Sequence, residues 1–217
     1  MREAQARSAT PLDIAAVTFI CFGWFIFASV IAVMDGFPAD GFTDLDFFEL
    51  IVQEVILSLF ALGYLRLRGY PLARLIPVPD AMGTLHGIAL LLAAWLVSLV
   101  FESAFASAAS GAEVVDEIMK GSHVSLGAVI AVSSVNGVYE EVFLLGFLQR
   151  AFARSGPHFA VGAALLVRLL YHLYQGPAGA ASVVGWGMVL GYYYAKSGKL
   201  WPAVFAHIAT DIAAFAL

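Results

Sequence analysis

The chain has 217 residues, of which 61% are hydrophobic and 12% charged, with a mean hydropathy of +0.88 and a formal net charge of -5. Soluble domains carry about 25% charged residues, so this composition indicates an integral membrane protein. The acidic balance and the lack of a basic stripe do not favour a nucleic-acid partner, and none is expected. A lone cysteine, Cys21, excludes an internal disulfide and a C-x-x-C metal site.

A membrane span needs about 20 apolar residues. On that criterion helices are predicted near 12–34, 47–67, 83–105, 124–149, 157–174, 178–196 and 199–217. The expectation is an all-α polytopic protein of about seven transmembrane helices, forming one domain over 1–217. Residues 1–105 are generic, and 124–217 carry the chemistry. Arg2 and Arg7 precede the first apolar run. That run exceeds the roughly 7–15 residues of a signal-peptide core and lacks a clear cleavage site. It reads as a helix with Thr10 as N-cap and Pro11 at the first turn. The third helix follows Pro77-Val-Pro79-Asp, and the fourth follows the polar loop Ser110–Ser122. Gly156-Pro157, Gly176-Pro177 and Ser197-Gly198 separate the rest, with the fifth and sixth helices close enough to form a re-entrant hairpin.

Charge supports this parsing. Seven spans with the N-terminus inside put Arg2, Arg7, Arg66, Arg68, Arg74, Arg150, Arg154, Lys196 and Lys199 on the cytoplasmic side, with Lys120 alone opposite. The opposite loops hold Asp35, Asp40, Asp44, Asp46, Glu113, Asp116 and Glu117, so the positive-inside bias is strong. Trp201, Tyr64 and Tyr70 fall where interfacial aromatics belong. The expected location is a bacterial cytoplasmic membrane, an expectation resting on the Arg-over-Lys, Ala/Gly-rich composition.

The fourth predicted helix contains two adjacent carboxylates, Glu140 and Glu141. An ionised side chain at mid-bilayer costs about 3 kcal/mol on the mildest scales, so the pair needs partners or a function. Glu140 lies ten residues before Arg150, which at ~1.5 Å per residue is near mid-membrane. Asn136 is one turn back on the same face, and Ser133 is seven residues back. Arg168 and His172 share one face of the fifth helix, and His207 and Asp211 share one face of the seventh. Convergence of these helices puts Glu140, His172 and His207 around one water, where a glutamate takes and returns a proton. The same three side chains match the ligand set of a hydrolytic zinc site. A structural alternative stands beside both, with Arg168 pairing Glu141 to make the burial tolerable. His86, Glu54 and Glu102 read as structural residues near span ends.

The late motifs resemble the CPBP (Abi) family of intramembrane proteases, which includes the CAAX prenyl endopeptidases. The resemblance is carried by Glu140-Glu141-Val-Phe-Leu-Leu-Gly146, Arg168-Leu-Leu-Tyr-His172, Leu200-Trp-Pro-Ala-Val-Phe-Ala-His207 and His207-Ile-Ala-Thr-Asp211, over roughly 124–215. It implies an endopeptidase acting on a membrane-associated peptide or protein within the lipid bilayer. Glu140 with His172 would activate water, Glu141 would share the site, and His207 and Asp211 would hold it or stabilise the oxyanion. Arg168 and Asn136 are supporting residues. No metal is obligatory on this reading, and a divalent ion such as zinc, where present, takes Glu140, His172 and His207. Two positions depart from the family pattern: Leu145 stands at the motif arginine and Arg168 at the motif phenylalanine. A swap follows, in which Arg168 supplies from the next helix the cation that pairs with Glu141. Two other readings remain: a silent family member acting as bacteriocin-immunity or scaffold protein, and a proton-coupled transporter.

Overall fold

The computed structural model describes residues 8–38, 40–106 and 112–216. Arg2, Arg7 and Ser110 lie outside the described residues. The chain is an all-α membrane protein. Helices occupy each of the seven predicted segments, as α1 (Pro11–Met34), α2 (Asp44–Leu67), α3 (Ala81–Ala106), α5 (Leu126–Glu141), α6 (Pro157–Tyr171), α7 (Gly176–Ser197) and α8 (Trp201–Ala216). Thr10 caps α1 as expected, in a reciprocal capping box with Asp13, and Thr43 and Asp46 repeat the device at α2.

The elements differ from expectation in two ways. The polar loop before the fourth predicted helix contains a further helix, α4 (Ala112–Gly121). Val114, Val115, Ile118 and Met119 form its inner stripe, while Asp116, Glu117 and Lys120 are exposed. A ten-residue amphipathic helix escapes a search for 20-residue apolar runs. The second difference is that the helix predicted over 124–149 changes character. The α-helix ends at Glu141 and continues as a π-helix over Val142–Gln149, every residue of which is buried. Wider π turns inside α-helices recur at functional sites.

Among the described residues, three helices, Pro11–Met34, Ala81–Phe105 and Leu126–Gln149, are long and apolar enough by length and composition to cross a membrane, and Pro157–Tyr171 is a shorter apolar helix. The inner share of each window separates their roles: 22% of α1 and 17% of α3 are buried, against 61% of Leu126–Gln149. The outer helices therefore present Phe19, Trp24, Phe27, Leu92, Trp95 and Leu96 outward, a face suited to lipid. Leu126–Gln149 is the bundle's centre. It packs against α2, α8 and α6, while α3 lies along α7 and α8.

Contacts between helix ends show that the long helices alternate in direction. At one end Arg68 Nε meets Asp13 Oδ1 at 2.8 Å, Trp201 Nε1 donates to Thr84 Oγ1 at 3.0 Å, and Arg150 Nε donates to the Tyr194 hydroxyl at 3.1 Å. The first joins the end of α2 to the start of α1, the second the starts of α8 and α3, and the third the ends of the π-helix and α7. Tyr70 is buried at this end in an edge contact with Phe147, rather than interfacial. At the other end the Tyr174 amide donates to Ser29 Oγ at 2.9 Å, the His123 amide to the Phe42 carbonyl at 2.8 Å, and the Ser125 amide to Asp44 Oδ1 at 2.6 Å. Arg66, Arg68, Arg74, Arg150, Arg154, Lys196 and Lys199 sit towards the first end. Asp35, Asp40, Asp44, Asp46, Asp116 and Glu117 sit towards the second.

Candidate active site

The structure gathers the late-helix polar residues in the bundle interior. Glu140, Glu141, Arg168 and His207 are each at most 6% exposed. Arg168 Nη2 donates to Glu141 Oε1 at 2.6 Å, and Arg168 Nη1 lies 3.5 Å from Glu140 Oε2. One guanidinium thus serves both carboxylates, the pairing that the Leu145/Arg168 swap requires. Leu145 itself is buried among apolar residues.

Each imidazole has a defined orientation. His207 Nδ1 lies 2.8 Å from Glu141 Oε1, and an ionised carboxylate only accepts, so Nδ1 carries the proton. Its Nε2 then faces Glu140 Oε2 at 4.0 Å and Asp211 Oδ2 at 3.6 Å. Trp186 packs edge-on against His207, with ring centroids 4.7 Å apart, and stacks beneath the Arg168 guanidinium at 4.8 Å. His172 follows the last turn of α6. Its Nδ1 donates to the Arg168 carbonyl at 2.9 Å, which leaves Nε2 as the acceptor of the neutral ring.

Glu140 is held through both oxygens. Asn136 Nδ2 donates to Oε1 at 3.2 Å, and the Tyr171 hydroxyl donates to Oε2. Tyr171 gives no signal in the sequence, because an aromatic in an apolar run is ordinary. Glu54 is not the span-end residue expected. It lies in the interior of α2, is 1% exposed, and accepts from Asn136 Nδ2 at 2.7 Å. Its partner is 82 residues away, so sequence spacing does not reveal it. His86 stays apart from the site, paired with the Tyr193 hydroxyl at 3.1 Å.

Small residues permit the convergence. A Cβ on Gly137 would come within 2.7 Å of Ile208 Cγ1 and 3.1 Å of the Ile208 nitrogen, so its absence lets α8 bring His207 against α5. A Cβ on Gly187 would lie 2.9 Å from Arg168 Cδ. Gly137→Val is expected to force α8 outward, at a cost of about 1–3 kcal/mol. It should lower the thermal unfolding midpoint of the purified protein, and an unchanged midpoint would show that the helices have slack here.

Two cavities meet at Glu140. One, of about 360 Å³, runs between α1 and α2 past Glu54, Tyr171 and His172 to Pro38 and Asp40. The other, of about 260 Å³, runs beside His207 and Asp211 to Met119 and Phe215. Both touch Phe42 and Ile118, so both lead towards the acidic end of the bundle, under α4.

Residues 122–213 match the family model described as Type II CAAX prenyl endopeptidase Rce1-like. Over that segment the chain is similar to the CPBP (Abi) family, which includes the CAAX prenyl endopeptidases. The match includes Asn136, Glu140, Glu141, Arg168, His172, His207 and Asp211, and it excludes α1–α3 and Glu54. No curated protein and no solved structure matches the chain.

The ligand set expected for a divalent ion is Glu140, His172 and His207. Among the described residues the group with metal-ligand spacing is instead Glu140, Glu141 and His207, with one donor atom of each within 4.8 Å of the others. His172 is not part of it. The two oxygens and one nitrogen suit a divalent ion in kind, and Glu141 Oε2 is buried without a hydrogen-bond partner.

Proposed function

We propose that this chain is a CPBP-type intramembrane endopeptidase that hydrolyses a peptide bond of a membrane-associated peptide or protein. One observation carries the proposal: Glu140 stands where two cavities meet, its carboxylate fixed by Asn136 and Tyr171, with His172 on the same cavity wall. A buried polar group without a role is costly, and four charged or imidazole side chains sharing one interior point form a reaction centre more readily than a scaffold.

In the proposed reaction, a water in the cavity lies between Glu140 and His172 Nε2. Glu140 takes its proton as the oxygen attacks the substrate carbonyl, then returns that proton to the leaving amine. His207, protonated on both nitrogens between Glu141 at Nδ1 and Asp211 at Nε2, donates its Nε2–H to the developing oxyanion. Arg168 compensates the charge of both glutamates in an apolar interior. Glu140, Glu141 and His207 would hold a divalent ion, which when bound supplies Lewis-acid polarisation of a carbonyl or water.

Proton transfer through Glu140 does not require that ion, because Arg168 already places a cation against both carboxylates. Cleavage of a farnesylated peptide with a CAAX-type tail by the purified chain in lipid nanodiscs should therefore persist in EDTA and 1,10-phenanthroline. Loss of activity on chelation, with recovery on adding zinc, would overturn the metal-independent route.

The cavities open towards the acidic end, so water and substrate enter there. With the N-terminus in the cytoplasm, as the charge bias suggests, that end faces away from the cytoplasm.

A further inference from the structure

Glu54 is not needed for the reaction above, yet it faces the same cavity as Glu140. One of its oxygens accepts from Asn136, while Oε2 is buried without a hydrogen-bond partner. Among the described residues, no ion pair reaches it. None of the described residues lining this cavity is a lysine or arginine, and Phe22, Phe25, Tyr139 and Tyr174 line it together with Glu54. Around the reaction centre, four carboxyl groups (Glu54, Glu140, Glu141 and Asp211) face one guanidinium and two imidazoles.

We propose that the cavity between α1 and α2 is a subsite for a basic side chain of the substrate, with Glu54 Oε2 as its partner. The inference rests on the endopeptidase reading and adds the substrate class: a peptide with a lysine or arginine near the scissile bond. A guanidinium or ammonium supplies what the pocket lacks. It donates a charge-assisted hydrogen bond to a carboxylate oxygen that has none, and its charge lies against aromatic faces that attract cations. The cavity's volume of about 360 Å³ lies within the range of small ligand sites. Its route to the outside passes Asp40, and Asp35, Asp44, Asp46, Asp116 and Glu117 lie at the same end. A cleft lined by one sign of charge concentrates the opposite sign at its mouth. Apolar or acidic side chains would leave Glu54 Oε2 unpaired in the bound state, and a neutral donor would pair it without the opposing charge.

Binding tests this without relying on turnover. The full chain in phosphatidylcholine nanodiscs is titrated with fluorescent peptides carrying one arginine at successive positions, each beside a twin with citrulline in its place. At one or two adjacent positions the arginine peptide should bind at least ten-fold more tightly, and Glu54→Gln should reduce that preference to less than three-fold. Wild-type protein in 1 M salt provides a readout free of any folding defect. A buried pair keeps its preference there, whereas attraction by the surface acids alone disappears over a Debye length of about 3 Å. Equal binding of the twins, a preference that survives Glu54→Gln, or one lost in salt would each overturn the proposal. If the arginine preference is found but no peptide is cleaved, the subsite stands and the endopeptidase reading fails.

Discussion

Glu140→Gln is expected to lower the rate of peptide cleavage by about 100- to 10,000-fold, the range contributed by a positioned general base. The substitution keeps the side chain's shape and an oxygen able to accept from Tyr171, but an amide cannot take the proton of an attacking water. Folding should be little affected. Arg168 retains its 2.6 Å bond to Glu141, and removing one of two carboxylates that share a single guanidinium leaves no cation unpaired. The two readouts must separate: cleavage falls, while the unfolding midpoint in detergent stays near the wild-type value. Retained cleavage would remove Glu140 from the chemistry. Wild-type protein without cleavage, against substrates of varied sequence, would favour the scaffold alternative.

Arg168→Met should be the most damaging single change to the fold. It leaves Glu140 and Glu141 adjacent in the bundle interior with no guanidinium between them, and it removes the cation lying over Trp186. Losing one partner of a buried ion pair costs about 3–5 kcal/mol, mostly from the charge left behind. That origin predicts the rescue. Adding Glu141→Gln to Arg168→Met removes one uncompensated charge and should recover part of the lost unfolding temperature, although not activity, because His207 loses its ionised acceptor. A double variant no more stable than the single would refute the pairing. Arg168→Met with normal stability and cleavage would end the idea that Arg168 replaces the motif arginine lost at Leu145.

What the sequence reveals and what it conceals follow one physical distinction. Charged side chains in an apolar run are conspicuous because they are costly, and Glu140, Glu141, Arg168, His207 and Asp211 all stand out that way. Helical periodicity places Arg168 with His172 and His207 with Asp211 on common faces, but their meeting across α5, α6 and α8 depends on close approach at Gly137 and Gly187. The π-helix over Val142–Gln149 leaves no trace, since a fully buried apolar run reads alike at either pitch. Glu54 is visible as a charge but not as a site residue, because its significance comes from Asn136 on a distant helix. The length criterion for spans likewise passes over α4, whose apolar stripe covers the cavity mouths through Ile118 and Met119.

Hydrolysis by a water that Glu140 activates is tested most directly by following solvent oxygen into the product. Wild-type and Glu140→Gln protein, each in nanodiscs, are incubated with a farnesylated CAAX-type peptide in water enriched in heavy oxygen, and the products are read by mass spectrometry. The wild type should cleave the peptide, with solvent oxygen in the new carboxyl group and no loss in EDTA, while Glu140→Gln should give no more than trace product. Equal product from the two proteins, or wild-type product without solvent oxygen in the new carboxyl group, would refute a Glu140-activated water.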